Sequence, residues 1–360
     1  MKFGWLTLAH SPSPERDAVA IFEQLEQATL AEELGFDGVW LTEHNFTGES
    51  VYADPIPFAA ALAMRTQRIR IGFAVIQMAL RHPVRLATQL SLLDNLTCGR
   101  LDVGVGRGTI FNEYEFVGYG LRSNDARERM AEALDVMTRA WTAAPLDHKG
   151  KYFTVRLPEL RPAPVQRPHP PIWHSVASAP SFRICGEKGV PILTVRLPIA
   201  QIGVRLGQYA EGLSASGLDG AAQARLLQEA AIWRWVYVGE SRAAAEDELV
   251  ASLVLTRRHM NHARHDLNPP DFRVDPALLN PWTDPSHSEE DGIRYALRSG
   301  TLIGTPRDVA EQVAELRDAG VGHLLCQMSF GYLDHKRIKS SMRRFGETVI
   351  PAFTSRGSSP

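Results

Sequence analysis

A histidine stands in this sequence where an apolar stretch turns abruptly polar. The segment Gly38–Phe46 is GVWLTEHNF, and its Val39–Leu41 part has the composition of a short strand buried on both faces. In α/β proteins, ligands bind at the carboxyl ends of such strands. With an unperturbed pKa of ~6.5, a histidine there can transfer protons at neutral pH. His44 is therefore a candidate catalytic residue, and the alternative is a structural hydrogen bond in the turn.

A second group of residues has the chemistry of an anion site. The stretch GVGRG at Gly104–Gly108 follows an apolar strand, and Ser178 and Ser181 stand at the start of a helix. Glycines at a strand end often make only a tight turn. Two hydroxyls, the free N–H groups of a helix start and the Arg107 guanidinium would together bind a phosphate. The combination predicts a phosphorylated cofactor.

The elements that position these residues alternate between strand and helix along the whole chain. Eight strands are predicted, at residues 3–8, 39–44, 70–77, 99–106, 172–175, 190–195, 231–238 and 323–328. This alternation favours an α/β protein with a single (β/α)8 barrel, that is, a TIM barrel. A doubly wound open sheet is the alternative, but no GxGxxG motif follows the first strand. In a barrel, His44, Gln77, Arg107, Ser178, Ser181 and Arg196 all lie at one mouth.

No change in composition marks a domain boundary, so residues 1–360 are expected to form one domain. Two excursions from the barrel are predicted, after strands four and seven. Residues 145–171 are proline-rich and suit a small hairpin. Residues 257–291 are rich in His, Asn, Pro and Asp with little periodicity, which indicates a long loop that could close as a mobile lid. On strand seven, Trp233 and Trp235 are expected to pack on different faces.

Composition excludes several classes of partner. The net charge of −2 gives no global attraction to nucleic acid or to anionic membranes. No run of ~18 apolar residues suggests a membrane span, and the N-terminus lacks the features of a secretory signal. The three cysteines are far apart, so neither a disulfide framework nor a zinc site is expected. His259, His262 and His265 drift around a helix and predict no metal site. A cytoplasmic location fits best.

Five stretches of the chain resemble the bacterial luciferase-like, flavin-dependent monooxygenases, and the similarity to the luciferase alpha subunit covers nearly the whole chain. They are AEELGFDGVWLTEHNF, RIRIGFAVI, HPVRLATQLSLLDNLTCGRLDVGVGRG, SVASAPSFRICGEKGVPIL and IGTPRDVAEQVAELRDAGVGHLL. The resemblance implies an oxidoreductase that takes reduced FMN from a separate flavin reductase. It further implies that reduced FMN and O2 form a C4a-hydroperoxide, which oxygenates a small organic substrate.

The resemblance also implies roles for individual residues. His44 matches the family's catalytic histidine, and Glu113 matches an acidic residue near the reduced flavin. Arg107, Ser178 and Ser181 match its contacts to the FMN phosphate. The peptide bond between Ala74 and Val75 matches a non-prolyl cis bond beneath the isoalloxazine ring. Gln77 and Arg196 are expected to form the wall near the ring and the substrate.

The small residues Ala87 and Ser91 suggest a closely packed helix face, and we expect a homodimer through the helices that follow strands two and three. Three departures from the luciferase alpha subunit concern the substrate. That subunit has a cysteine at the position of Gly106, an acidic residue at Ala177 and a tryptophan around Arg196. These differences argue against light emission and against a long-chain aldehyde substrate. They also suggest that the wall near the flavin ring is more polar and could bind an anion. A deazaflavin-dependent hydride-transfer enzyme and a non-catalytic flavin-binding subunit remain alternatives.

Overall fold

Eight parallel strands close into a barrel in the computed structural model, which describes residues 1–354. In chain order they are β1 (Lys2–Thr7), β2 (Gly38–Leu41), β3 (Arg70–Phe73), β4 (Leu101–Gly106), β5 (Ile172–Val176), β6 (Ile192–Thr194), β7 (Ala231–Val238) and β8 (His323–Ser329). Each strand pairs with the next, and β8 pairs with β1 through Lys2 and His323. The predicted (β/α)8 barrel is confirmed, since ring closure excludes an open doubly wound sheet. Residues 355–360 of the predicted domain lie outside the described part.

Helices surround the barrel between these strands. They are α1 (Asp17–Glu33), α2 (Pro55–Ala63), α3 (Pro83–Leu96), α4 (Glu113–Gly118), α5 (Ala126–Thr142), α6 (Ala179–Glu187), α7 (Ile199–Ser214), α8 (Gly220–Glu229), α9 (Arg242–Leu267), α10 (Glu289–Gly300), α11 (Pro306–Asp318), α12 (His335–Arg344) and α13 (Ile350–Phe353). Single turns of 3-10 helix occur at Pro14–Arg16, Met78–Leu80, Ser123–Asp125 and Pro276–Leu278, and a π-helical turn at Phe345–Val349. None of these helices is long and apolar enough to cross a membrane.

Two features of the sheet were not predicted. The expected third strand, 70–77, is interrupted at Ala74 and Val75, and its last part, Ile76–Gln77, pairs with β4. A short strand at Thr301–Gly304 pairs with the end of β7 outside the ring. This strand has only four residues and begins directly after α10. It is therefore too short for its periodicity to be recognised in the sequence.

The lower half of the barrel is filled by apolar side chains. Trp40 and Trp173 lie edge to face at 5.2 Å, together with Leu6, Leu193 and Leu325. This packing follows from the alternation along each strand, which directs every second side chain inward. Two buried polar groups accompany these side chains: Asp102 accepts from the Trp173 indole N–H at 3.2 Å, and His323 lies edge to face with Trp40 at 5.8 Å.

Gly104 of β4 marks a very close approach between two strands. A Cβ atom there would lie 1.8 Å from the Phe73 carbonyl oxygen and 2.7 Å from Leu193 Cδ1. Because backbone cannot move aside easily, we expect Gly104→Ala to lower the free energy of unfolding by about 3 kcal/mol. Urea unfolding measures this, with Gly207→Ala as the control. Gly207 lies on α7 with nothing within 4 Å, so its replacement should be neutral or stabilising. Equal midpoints for the two variants would contradict the packing.

The excursion after β4 contains an antiparallel hairpin of Leu146–Lys149 and Thr154–Leu157. The segment after β7 differs from the expected irregular loop, since α9 continues to Leu267 and α10 begins at Glu289. Arg257 of α9 donates hydrogen bonds to the carbonyls of Pro281, Trp282, Asp284 and His287. The end of α9 is polar and stabilised by such contacts, so apolar periodicity could not reveal it. Opening and closing of residues 257–291 stays a prediction.

Candidate active site at the barrel mouth

His44 lies between two carboxylates just beyond the end of β2. Its Nδ1 is 3.2 Å from Glu115 Oε1, and its Nε2 is 3.8 Å from Glu49 Oε1. The His44 side chain is 19% exposed, whereas those of Glu49 and Glu115 are almost completely buried. A ring flanked by two buried anions is stabilised in its protonated form.

The pKa of His44 follows from this environment. Burial lowers it, but the charge of Glu49 and the hydrogen bond to Glu115 outweigh burial and raise the pKa to about 9. This pKa lies well above the unperturbed value of ~6.5 from which the sequence argument started. At pH 7, His44 is an imidazolium, which can donate a proton but cannot accept one.

Glu115, which the sequence analysis did not select, is the carboxylate that contacts His44. It also accepts hydrogen bonds from Asn112 Nδ2 at 2.9 Å and from the Gln77 amide. Glu113 instead accepts from the Ser123 backbone N–H, and its carboxylate lies 3.6 Å from Arg122. The two glutamates stand two residues apart on a short helix, so they point to different sides. The role expected for Glu113 near a flavin stays a prediction.

Gln77 is a buried link within this network. Its backbone N–H donates to Glu43 Oε2 at 2.9 Å, and its side-chain amide donates to the Glu43 carbonyl at 2.8 Å and to Glu115. Arg81 holds the Glu43 carboxylate at 2.7 Å. Gln77 Oε1 is buried and has no hydrogen-bond partner within residues 1–354. The structure thus gives Gln77 the contacts of a residue that orients Glu115.

Further polar groups reach the same mouth from β1, β8 and α9. His10 Nδ1 accepts from the Gly331 N–H at 3.2 Å, and burial lowers the pKa of His10 to about 4. His259 Nδ1 pairs with the Tyr332 hydroxyl at 2.9 Å. Arg264 donates to Asn112 at 3.1 Å, which extends the chain of hydrogen bonds from α9 through Asn112 and Glu115 to His44. We call His10, His44, Glu49, Glu115 and His259 the histidine–carboxylate cluster.

Sequence reasoning missed most of this cluster. His10 follows the first strand closely, so the argument applied to His44 applies to it as well. Glu49 lies in the acidic loop after β2, where several carboxylates compete. His259 belongs to the three histidines considered for metal binding, and the helix separates them, because His262 and His265 contact Asp266 at the surface.

The charge of Glu115 can be tested through the titration of His44. We expect Glu115→Gln to lower the pKa of His44 from about 9 by about 1–2 units, because one anion is removed. NMR titration of the imidazole measures this value. Glu113→Gln is the matched control, since no described contact joins Glu113 to His44. A His44 titration that responds equally to both substitutions would contradict the pairing.

The same pairing affects stability in a defined pH window. Since the pKa of His44 is raised on folding, its pairing stabilises the protein fully below pH ~6.5 and is lost as pH rises to about 9. The unfolding free energy of the wild type should therefore fall in this window more steeply than that of Glu115→Gln.

The anion-site residues lie on neighbouring strand ends. Val103 of β4 pairs with Ile172 of β5, so the loops bearing Arg107 and Ser178 leave the same edge. Burial and the nearby Arg127 lower the pKa of Arg107, and no residue in the described chain accepts a hydrogen bond from it. Among the described residues, Arg107 makes no hydrogen bond to Ser178 or to Ser181.

The start of α6 is open for a ligand. Ser178 is the N-cap residue, but its side chain does not cap the helix and instead donates to Ser181 Oγ at 3.3 Å. Ser181 Oγ donates to the Ser178 carbonyl at 2.6 Å. Pro180 has no N–H, and the N–H groups of Ser181 and Phe182 donate to the Ser178 carbonyl. In the first turn this leaves the Ala179 N–H to face an anion, beside the two hydroxyls.

A cleft of about 210 Å³ separates the Arg107 loop from the segment after α9. Its lining includes Arg107, Phe116, Phe272, Arg273 and Leu278. Arg107 therefore faces residues of the 257–291 excursion. That excursion covers one side of the mouth.

The peptide bond between Ala74 and Val75 is cis, as the resemblance implies. The Val75 side chain points toward β4, where a Cβ on Gly106 would lie 2.5 Å from Val75 Cγ2. Val75 therefore fills the space that a side chain at position 106 would need.

Arg196, just after β6, lies against tryptophans of β7. Its Cζ is 3.5 Å from the Trp235 ring centroid and 4.7 Å from that of Trp233. The two indoles are themselves 5.8 Å apart. The expectation that they pack on different faces is wrong, because residues two apart on a strand project to the same side.

The comparisons with known proteins agree with this architecture. Residues 1–323 match the model of a family described as luciferase-like monooxygenase. The chain is 29% identical to 4-hydroxyprotoasukamycin monooxygenase of Streptomyces nodosus subsp. asukaensis, with 98% of this chain and 92% of that protein covered. It is 24% identical to the oxygenase component of flavin-dependent trigonelline monooxygenase of Acinetobacter baylyi, covering 92% and 89%. The crystal structure of monooxygenase RslO1 from Streptomyces bottropensis superposes with a TM-score of 0.80 at 26% identity, covering 98% and 100%.

Proposed function

Because the chain belongs to the luciferase-like monooxygenase family, we propose that it is a flavin-dependent monooxygenase that uses reduced FMN and O2 to oxygenate a small organic substrate. One observation carries the proposal. The neighbouring ends of β4 and β5 bring Arg107, which has no described hydrogen-bond partner, and the start of α6 to the same barrel mouth as the His44 imidazolium. A proton donor and an anion site at one mouth would suit a phosphorylated cofactor such as reduced FMN.

The residues at the mouth fit FMN. Its phosphate would lie at Arg107, Ser178 and Ser181, where the Arg107 guanidinium and the Ala179 N–H make no hydrogen bond to the described residues. Gly106 and Gly108 leave room for the Val75 and Phe116 side chains, since Cβ atoms there would lie 2.5 Å from Val75 Cγ2 and 2.7 Å from Phe116 Cζ. Ala74 and Val75 would contact the ring.

Reduced FMN, when bound, supplies the electrons that activate O2. The protein's part in the reaction is to move protons and exclude water. His44 is the proton donor at its Nε2 or Nδ1, and Glu49 and Glu115 keep it charged. Gln77 orients Glu115, and Glu113 holds the Arg122–Ser123 turn at the rim. The segment 257–291 is proposed as the lid that covers the mouth.

The proposal includes partners and a location. A separate flavin reductase would supply the reduced cofactor, and the name of the trigonelline relative, an oxygenase component, supports this. We propose a cytoplasmic enzyme, which fits its three free cysteines.

We also propose a homodimer, through a different surface of α3 from the one first suggested. Trp141 of α5 donates its indole N–H to Ala87 O and Ser91 Oγ, so these small residues face a helix of the same chain. Leu92 and Leu96 of α3 are 52% and 39% exposed and are proposed to form the contact. A solution mass of 39.9 kDa, that of one chain, would contradict a dimer.

An anaerobic titration tests the proposed cofactor. Reduced FMN and reduced deazaflavin are each added to the protein, and O2 is then admitted. We expect tight binding of reduced FMN, with O2 uptake that depends on the organic compound supplied. Binding of reduced deazaflavin alone, with substrate reduction in the absence of O2, would instead identify a hydride-transfer enzyme. Flavin binding without any product would identify a non-catalytic subunit.

A further inference from the structure

Arg196 is held rigidly at the mouth by aromatic side chains. Its guanidinium stacks on Trp235 and also faces Trp233 and Trp282, the last at 5.6 Å. Gly300 packs against the Arg196 side chain, so closely that a Cβ at Gly300 would lie 2.6 Å from Arg196 Cδ. The side chain is therefore fixed by packing before any ligand arrives.

The positive charge of Arg196 has no acidic partner within residues 1–354. Nη1 is buried and donates to no described atom. A second cation, Arg234, donates to the Leu197 and Trp233 carbonyls. Burial and Arg234 lower the pKa of Arg196 to about 9, so it is still protonated at neutral pH. A buried charge without a partner is unfavourable, which indicates that an anion from outside the chain completes the site.

The position of Arg196 relative to His44 defines what such an anion would be. β2 and β6 lie opposite each other in the eight-strand ring, so a ligand between His44 and Arg196 spans the mouth. The phosphate site at Arg107 and α6 is separate and has its own donors. Around Arg196 the walls are indole faces, which favour a flat apolar body over a strongly hydrated phosphate. The planar guanidinium matches a carboxylate.

We propose that Arg196, Trp233 and Trp235 form the substrate-recognition subsite, and that it takes an organic substrate with a carboxylate on a planar, apolar body. This rests on the proposed function only in that the barrel mouth is the reaction site. The guanidinium binds the carboxylate, and the indoles cover the apolar part. Substrate orientation toward His44 is thereby fixed.

Binding of matched acids and amides tests the subsite. The probes are benzoate and 2-naphthoate, with benzamide and 2-naphthamide as neutral counterparts, added to the oxidised, FMN-loaded protein. Quenching of tryptophan fluorescence and the shift in Tm report binding. We expect the acids to bind and the amides to bind at least about tenfold more weakly, the loss typical of a charge-assisted hydrogen bond.

Three variants assign this preference to Arg196. Arg196→Gln should remove it, Arg196→Lys should keep part of it, and Arg225→Gln, an exposed arginine on α8, should leave it unchanged. If Arg196→Gln does not fold, Arg196→Lys and Trp233→Phe carry the test, and each should weaken 2-naphthoate binding severalfold.

Several results would overturn the subsite. They are equal binding of acid and amide, no binding of any probe, or an acid preference that survives in Arg196→Gln. Loss of FMN affinity in Arg196→Gln, with acid binding intact, would instead make Arg196 a cofactor contact. The measurement involves neither O2 nor reduced flavin. If the wild type prefers the acids but forms no oxygenated product, the proposed function fails and the subsite stands.

Discussion

Replacing His44 by alanine is expected to lower the product formed per reduced FMN oxidised by about 100-fold, the size typical of a lost general acid. In the proposed mechanism the His44 imidazolium is the proton donor, and neither His10 nor Glu49 can substitute for it. His10 is neutral because burial lowers its pKa to about 4. Glu49 keeps its charge, because positive charge nearby, that of His44 above all, outweighs the effect of burial and lowers its pKa.

The measurement is coupling, recorded as organic product and hydrogen peroxide per reduced FMN. His262→Ala is the control, since His262 is exposed and contacts only Asp266. FMN affinity should stay near that of the wild type in both variants. Undiminished coupling in His44→Ala would remove His44 from the mechanism.

Replacing Arg107 by alanine is expected to weaken FMN binding by about 10- to 100-fold, because a charge-assisted contact to the phosphate is lost. Quenching of flavin fluorescence measures the affinity. The FMN affinity should also depend less on salt concentration, since the half-buried Arg107 cation no longer contributes. Ser178→Ala and Ser181→Ala should each cause a smaller loss.

Arg225→Ala is the control for the Arg107 experiment, because it removes one positive charge from an exposed position on α8. The pKa of His44 should remain raised in Arg107→Ala, since no described contact joins the two residues. An FMN affinity that is the same in Arg107→Ala and Arg225→Ala would refute the phosphate assignment.

The barrel was predictable because each of its strands is a short apolar run that ends in polar or glycine residues. His44 and Arg107 were found by the same rule, since strand ends meet at one mouth. The rule would also have found His10, which stands three residues beyond β1. His10 was overlooked because the residues around it in the sequence carry no recognisable motif.

Other parts of the site depend on geometry that spacing does not encode. Glu113 and Glu115 are the same residue type two positions apart, and the sequence does not distinguish them. Only the orientation of α4 decides which one reaches His44. His259 and Arg264 enter from α9, a helix end without apolar periodicity. The raised pKa of His44 could not be predicted for the same reason, because its two anionic neighbours come from separate segments of the chain.

The central claim is that reduced FMN and O2 react at this mouth to oxygenate an organic compound. The most direct measurement is the reaction of the protein with chemically reduced FMN and ¹⁸O2, followed by mass spectrometry of the products from a panel of planar carboxylic acids. We expect one ¹⁸O atom in the organic product and the other in water. Conversion of the compound without ¹⁸O, or under anaerobic conditions, would contradict it.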